Sequence, residues 1–167
     1  ISAYVSNITE ERGAYNIKDR TVALQAAEAA LRDASEYITS TVLAEDGFTE
    51  SCSSDGLCMP SLTQKPLWER LEDNKNAGWI SGDDVGPSVQ YGSQTDKEPL
   101  ETISFLKEGV SKQPRYFIEV LIQPNVESQK TLQYGEQLAT QYLYRVTAVG
   151  FGLNPATRVK LQAVYLK

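Results

Sequence analysis

Cys52 and Cys58 are the residues whose type and spacing most plainly suggest chemistry. They stand in Cys52-Ser53-Ser54-Asp55-Gly56-Leu57-Cys58, with Asp55-Gly56 at the turn. A loop of this length around an Asp-Gly turn suits a small disulfide. Two thiols are too few for a zinc site, and the chain has no histidine to complete one. The spacing is not Cys-x-x-Cys, which removes the redox motif. A disulfide implies an oxidising compartment; free thiols in the cytosol are the alternative. Closing so short a loop contributes about 2–3 kcal/mol in the chain-entropy model.

Other chemistries are poorly supplied. Without histidine, Ser-His and Cys-His nucleophile pairs cannot be built. Gly82-Asp83-Asp84-Val85-Gly86 lacks the lysine and the strand–helix setting of a phosphate loop. Asp73-Asn74-Lys75-Asn76-Ala77-Gly78 faintly echoes a calcium loop. However, Lys75 occupies a ligand position and no glutamate closes the loop, so a solvated acidic loop is expected. Asn7-Ile8-Thr9 matches a glycosylation sequon but falls in an expected helix. The net charge of -6 disfavours nucleic acid and anionic membrane surfaces as partners. The expectation is a protein that is not an enzyme, with no cofactor, no metal and no small-molecule substrate.

The element that positions everything else is N-terminal. From Ile1 to about Ser40 there is no proline and one glycine, Gly13. Strong helix formers dominate from Val22 to Arg32. Glu28, Arg32 and Glu36, each four apart, add a few tenths of a kcal/mol per pair. At 100° per residue, Tyr15, Val22, Ala26, Ala29, Ala30 and Tyr37 fall on one arc. Ile17, Leu24, Leu31 and Ile38, spaced by sevens, fall on another, with Ala23, Ala27 and Ala34 between. Thr21, Gln25, Glu28, Arg32 and Glu36 fill what remains. The apolar sector spans roughly 220°, whereas a surface helix needs only about 100°. One side can pack on its own domain; the other calls for a different partner. Upstream, Ile1, Tyr4, Val5 and Ile8 make an apolar stripe surrounded by polar residues (Ser6, Asn7, Thr9, Glu10, Glu11, Arg12), and the segment starts in mid-helix without a cap. The tail of a longer helix is expected. No stretch of about eighteen apolar residues is present to cross a membrane.

Three stretches in this helix carry a resemblance. Ile8-Thr9-Glu10-Glu11-Arg12, then Asn16 through Asp19-Arg20, then Ala23-Leu24-Gln25-Ala26-Ala27-Glu28-Ala29-Ala30-Leu31-Arg32 resemble the N-terminal region of the PilX-type minor pilins of type IV pili. Residues 1–167 do not include that family's cleavage site, membrane helix or N-terminal acidic residue. The resemblance implies a pilin-like α+β fold, with a long N-terminal helix packed on an antiparallel β-sheet meander. It divides the chain into a spine helix over residues 1–40, lacking its membrane half, and a globular head over 41–167, the two forming one domain. It also implies a role: a structural subunit that joins other minor pilins, primes fibre assembly and sits at the tip. Other minor pilins, the major pilin and a pilus-tip adhesin are the implied partners, with the membrane reached through the missing helix. The implied location is the inner membrane with a periplasmic head, then the extracellular fibre. Ile1, Tyr4, Val5, Ile8, Tyr15, Ile17, Leu24 and Leu31 are the candidate assembly face. A minor pseudopilin of a type II secretion system, which shares the fold, is the close rival. An exported adhesive or ligand-binding module, using the Trp79–Tyr91 loops, is the rival from another class.

The rest of the chain fits a head. Pro66–Leu71 reads as a helical turn or two, and a short strand is expected at Ser88–Tyr91. Trp68 and Trp79 read as lids over the core. Leu100–Leu106 is ambiguous between strand and helix. Arg115–Ile122, Tyr142–Phe151 and Arg158–Leu166 are β-branched and aromatic strands. In the last, Val159, Leu161, Ala163 and Tyr165 alternate as the buried face, with Lys160 and Gln162 outward. Leu153-Asn154-Pro155-Ala156 supplies the hairpin turn, and a long excursion separates the first two strands.

Overall fold

The computed structural model describes residues 2–43, 45–50, 52–61, 65–69, 87–103, 108–122 and 142–167, with side chains from residue 11 onward, those of 45 and 122 excepted. Helix α1 covers Ser2–Ser40. It is followed by the short strands β1 (Leu57–Cys58) and β2 (Val89–Gln90). The long strands β3 (Arg115–Ile122), β4 (Tyr142–Phe151) and β5 (Arg158–Leu166) complete the fold. The order across the sheet is β1-β3-β4-β5, with β2 also on β3. The three long strands form the antiparallel meander expected of them.

Two features exceed that expectation. β1 pairs parallel to β3, Leu57 opposite Ile118. β2 pairs antiparallel to the same strand, Val89 opposite Tyr116. Because β4 occupies the other edge of β3, β1 and β2 lie end to end along one edge. A two-residue strand has no readable period, which is why the parallel member was not foreseeable.

Both faces of β3 and β4 are covered. Tyr116, Ile118, Val120, Tyr144, Val146 and Ala148 meet Ala30, Ala34, Tyr37 and Ile38 of α1 on one face. Phe117, Val149 and Phe151 meet Cys58 and Leu67 on the other, with Trp68 packed against them. Double coverage explains the near-continuous apolar runs in these strands. β5, at the edge, keeps the alternation: Val159, Leu161, Ala163 and Tyr165 are half-buried, and Gln162, Val164 and Leu166 are exposed.

The helix and sheet meet unusually closely at Gly150. A Cβ there would stand 2.2 Å from the Ala23 carbonyl oxygen and 2.3 Å from the Ala27 nitrogen. The alanines of α1 and the glycine of β4 therefore serve one purpose, letting two backbones touch. Trp79, the Asp73–Gly78 and Gly82–Gly86 stretches, Arg70-Leu71, residues 104–107 and the whole β3–β4 excursion lie outside the described residues.

Candidate functional site

α1 is the candidate site, and its three sides have different fates. Ala23, Ala26, Ala27, Ala30, Ala34, Tyr37 and Ile38 are buried against the sheet. Two aspartates share that face, Asp19 and Asp33, both buried. Each is satisfied by a turn of the head. Asp19 accepts from the Asn154 amide at 3.0 Å and from the Thr157 hydroxyl, gripping the β4–β5 hairpin. A Cβ on Gly152 would lie 2.1 Å from the Asp19 carboxylate, so the hairpin approaches through a glycine as well. Asp33 accepts from the Gly92 amide at 2.9 Å and from the Thr95 hydroxyl. Gly92 holds a φ of 81°, which a side chain would resist.

Lys97 completes the second clamp. Its ammonium is 2.6 Å from Glu36 and 3.5 Å from Asp33. The hydrogen bond to Glu36 raises its pKa, against a smaller opposing effect of burial, with the Asp33 charge adding to the rise. The Tyr116 hydroxyl is buried nearby and meets no partner in hydrogen-bond geometry among the described residues. Burial first, and the Asp33 charge second, push its ionisation far above the usual phenol range. At the helix C-terminus, Lys167 donates to the Ile38 carbonyl at 2.6 Å and the Thr41 carbonyl at 2.7 Å. A cation there complements the helix dipole and satisfies orphan acceptors.

The remaining sides of α1 are less covered. On one flank, Lys18 pairs with Glu108 at 2.6 Å. Beside that pair an open groove of about 630 Å³ runs between Val22, Ala26 and Ala29 of the helix and the chain near Leu100 and Val110. On the opposite flank the sevens-spaced arc divides. Ile38 is buried and Leu31 is half-buried against the core. Leu24 is 39% exposed and Ile17 is 70% exposed. Tyr15, from the first arc, is 54% exposed. From Glu11 to Lys18 every side chain is exposed, so the helix has left its sheet. The α-helical backbone continues to Ser2, a further extension of roughly 25 Å from Lys18.

Of the expected assembly face, Tyr15, Ile17 and Leu24 are bare, and Leu31 is shared with the core. Ile1 and the side chains of Tyr4, Val5 and Ile8 lie outside the described residues. Cys52 and Cys58 form a disulfide, with Cys58 buried beneath β3's outer face. The two clamping aspartates were not anticipated as site residues. Their signal was present: at 100° per residue both fall inside the apolar sector, where an ionisable group needs a partner. Among the described residues no cluster of carboxylates and thiols is arranged to hold a metal ion.

A family model described as type IV pilus assembly protein PilX, C-terminal, matches residues 54–167. The chain belongs to the PilX family. The matched region contains all five strands of the sheet. It lies wholly outside the helical stretches that carry the resemblance, so head and helix indicate one family independently. Neither a curated protein nor a solved structure matches the chain. As a PilX-family protein it is a minor pilin in the general sense, a structural component of type IV pilus assembly associated with the cell envelope and its fibre. No helix among the described residues is long and apolar enough to cross a membrane.

Proposed function

We propose that this PilX-family chain is a non-enzymatic minor pilin that joins other minor pilins through α1, primes fibre assembly and resides at or near the pilus tip. The observation that carries the reading is the state of α1. It is locked to the head by Asp19, Asp33 and Lys167, yet leaves the sheet with Tyr15, Ile17 and Leu24 uncovered. A rigid helix that keeps apolar surface in water is costly unless a neighbour covers it, at about 25 cal/mol per Å². The sevens spacing of Ile17, Leu24 and Leu31 suits another helix as that neighbour. Ile1, Tyr4, Val5 and Ile8 would add apolar contacts farther along the helix. In this reading the subunit waits in the inner membrane with its head in the periplasm. It then moves into the fibre beside the major pilin, and a tip adhesin is a further neighbour.

Deletion of the gene with complementation tests the reading. Surface pili should fall by more than about tenfold on deletion, as expected when a helix-mediated priming contact is lost, and return with the full-length protein. Unchanged piliation with lost protein secretion would overturn it in favour of a type II secretion pseudopilin.

A further inference from the structure

β1 is two residues long, yet it is held on both sides. Cys58 pairs with Glu119 of β3 and bridges to Thr49, and the Met59 amide donates to the Thr49 carbonyl at 2.8 Å. Just upstream, the Ile118 amide donates to the Gly56 carbonyl at 2.8 Å, and the Ser53 amide donates to the Leu57 carbonyl at 2.9 Å. Leu57 anchors the strand in the helix-side core with Phe48 and Val89. Cys58 has no exposed surface and packs among Leu67, Phe117, Val149 and Phe151. Cys52, its disulfide partner, is half-buried. Cys52 also holds a φ of 63°, a left-handed backbone that a side chain resists.

We infer that β1 is a latch on its own disulfide: thiols exchange with Cys52–Cys58 only when β1 has lifted from β3. An attacking thiolate enters at Cys52, the residue that keeps some contact with solvent. A new S–S bond forms there, the Cys52–Cys58 bond breaks, and its electron pair leaves on the Cys58 sulfur. With β1 seated, that thiolate would be stranded among apolar side chains, where an unsolvated charge is costly. Attack on Cys58 itself is blocked by its burial. Lifting β1 removes both obstacles, because the Cys58 thiolate then meets water and takes up a proton. The second thiol of a dithiol reductant displaces Cys52, leaving two free cysteines and the oxidised dithiol. Cutting the bond also frees Cys52 from its left-handed backbone, which favours the open loop. The reverse reaction passes the same gate, so a disulfide donor must act before β1 docks. Loop closure therefore precedes completion of the sheet. The latch is independent of the helix-mediated role proposed above.

Reduction of the Ile1–Lys167 chain by dithiothreitol tests the latch. The native chain should react at least about a hundredfold more slowly than the same chain unfolded in concentrated urea. Leu57→Ala loosens the seat of β1 and should speed reduction at least about tenfold. Gly150→Ala weakens the head where β4 meets α1, away from β1, and should speed it by less than about threefold. Equal acceleration by the two variants would mean that exchange needs global unfolding, and would overturn the inference. So would a native chain as reactive as the unfolded one, or a Leu57→Ala chain no faster than the parent. If Leu57→Ala fails to fold, the unaltered chain decides. Brief reaction with reduced glutathione, quenched by alkylation and mapped by mass spectrometry, should place glutathione on Cys52 and the alkyl group on Cys58. The opposite assignment would overturn the latch.

Discussion

At the scale of single residues, buried polar groups do the specifying. Asp33→Ala would strand the Gly92 amide and the Thr95 hydroxyl, and a loss of about 2–3 kcal/mol in denaturant unfolding is expected. Tyr116 behaves oppositely. Its hydroxyl is buried without a well-formed bond, so Tyr116→Phe should stay within about 1 kcal/mol of the parent at neutral pH. The pH dependence has a definite sign. A phenol whose folded pKa lies above its unfolded value contributes stability that is complete below the unfolded pKa and is lost as pH rises past it. Tyr116, Tyr37 and Tyr165 are all raised, chiefly by burial. Thermal stability should therefore fall above the ordinary tyrosine pKa of 10.0. Tyr116→Phe should flatten that alkaline decline. Lys97 is also raised, so its clamp should hold across neutral pH and weaken only in strong alkali. On the outer face, Glu119 is fully buried and accepts two bonds from Arg145, at 2.8 and 2.9 Å, directly across the strand pair. Arg145→Met should cost about 3–5 kcal/mol by leaving that carboxylate unpaired. Adding Glu119→Leu should recover most of it in a double-mutant cycle.

Elements were legible in the sequence in proportion to their length and periodicity. α1 was readable from its composition and 3.6-residue pattern, and β3, β4 and β5 from their β-branched and aromatic runs. β2 was marked by Val89-Gln90-Tyr91 between turn residues. β1 was hidden because its residues read as part of the disulfide loop; the loop turns out to feed a parallel strand onto β3. The alternation of β5 was visible because one of its faces stays wet. The doubly buried β3 and β4 gave no alternation from which to assign faces. The alanines of α1 looked like helix propensity, and their packing role emerges only beside Gly150. Gly150→Ala is the test at this scale. The added methyl meets helix backbone rather than a movable side chain, so destabilisation of about 3 kcal/mol is expected in thermal or urea unfolding. Reduction of Cys52–Cys58 should cost about 2–3 kcal/mol, since the loop it closes is short.

For the whole molecule, the sequence showed that α1 has more apolar surface than one small sheet can cover. It could not show which arc would be left over, because that depends on where strands distant in sequence come to lie. The fold resolves the geometry. Ala26, Ala30 and Tyr37 of the first arc turn to the sheet, and Ile38 and part of Leu31 from the second join them. Ile17 and Leu24 stay bare. Leu24 and Leu31, one heptad apart, are thus expected to report different things. An aspartate at Leu31 enters the edge of the core and should lower stability by about 2 kcal/mol or more. An aspartate at Leu24 meets water and should leave folding within about 0.5 kcal/mol. The most direct test of the account places Leu24→Asp in the full-length protein and measures head stability and pilus assembly together. Unchanged stability with assembly abolished is the predicted result. Normal assembly, or collapse of the head, would contradict the claim that this face exists for neighbouring subunits.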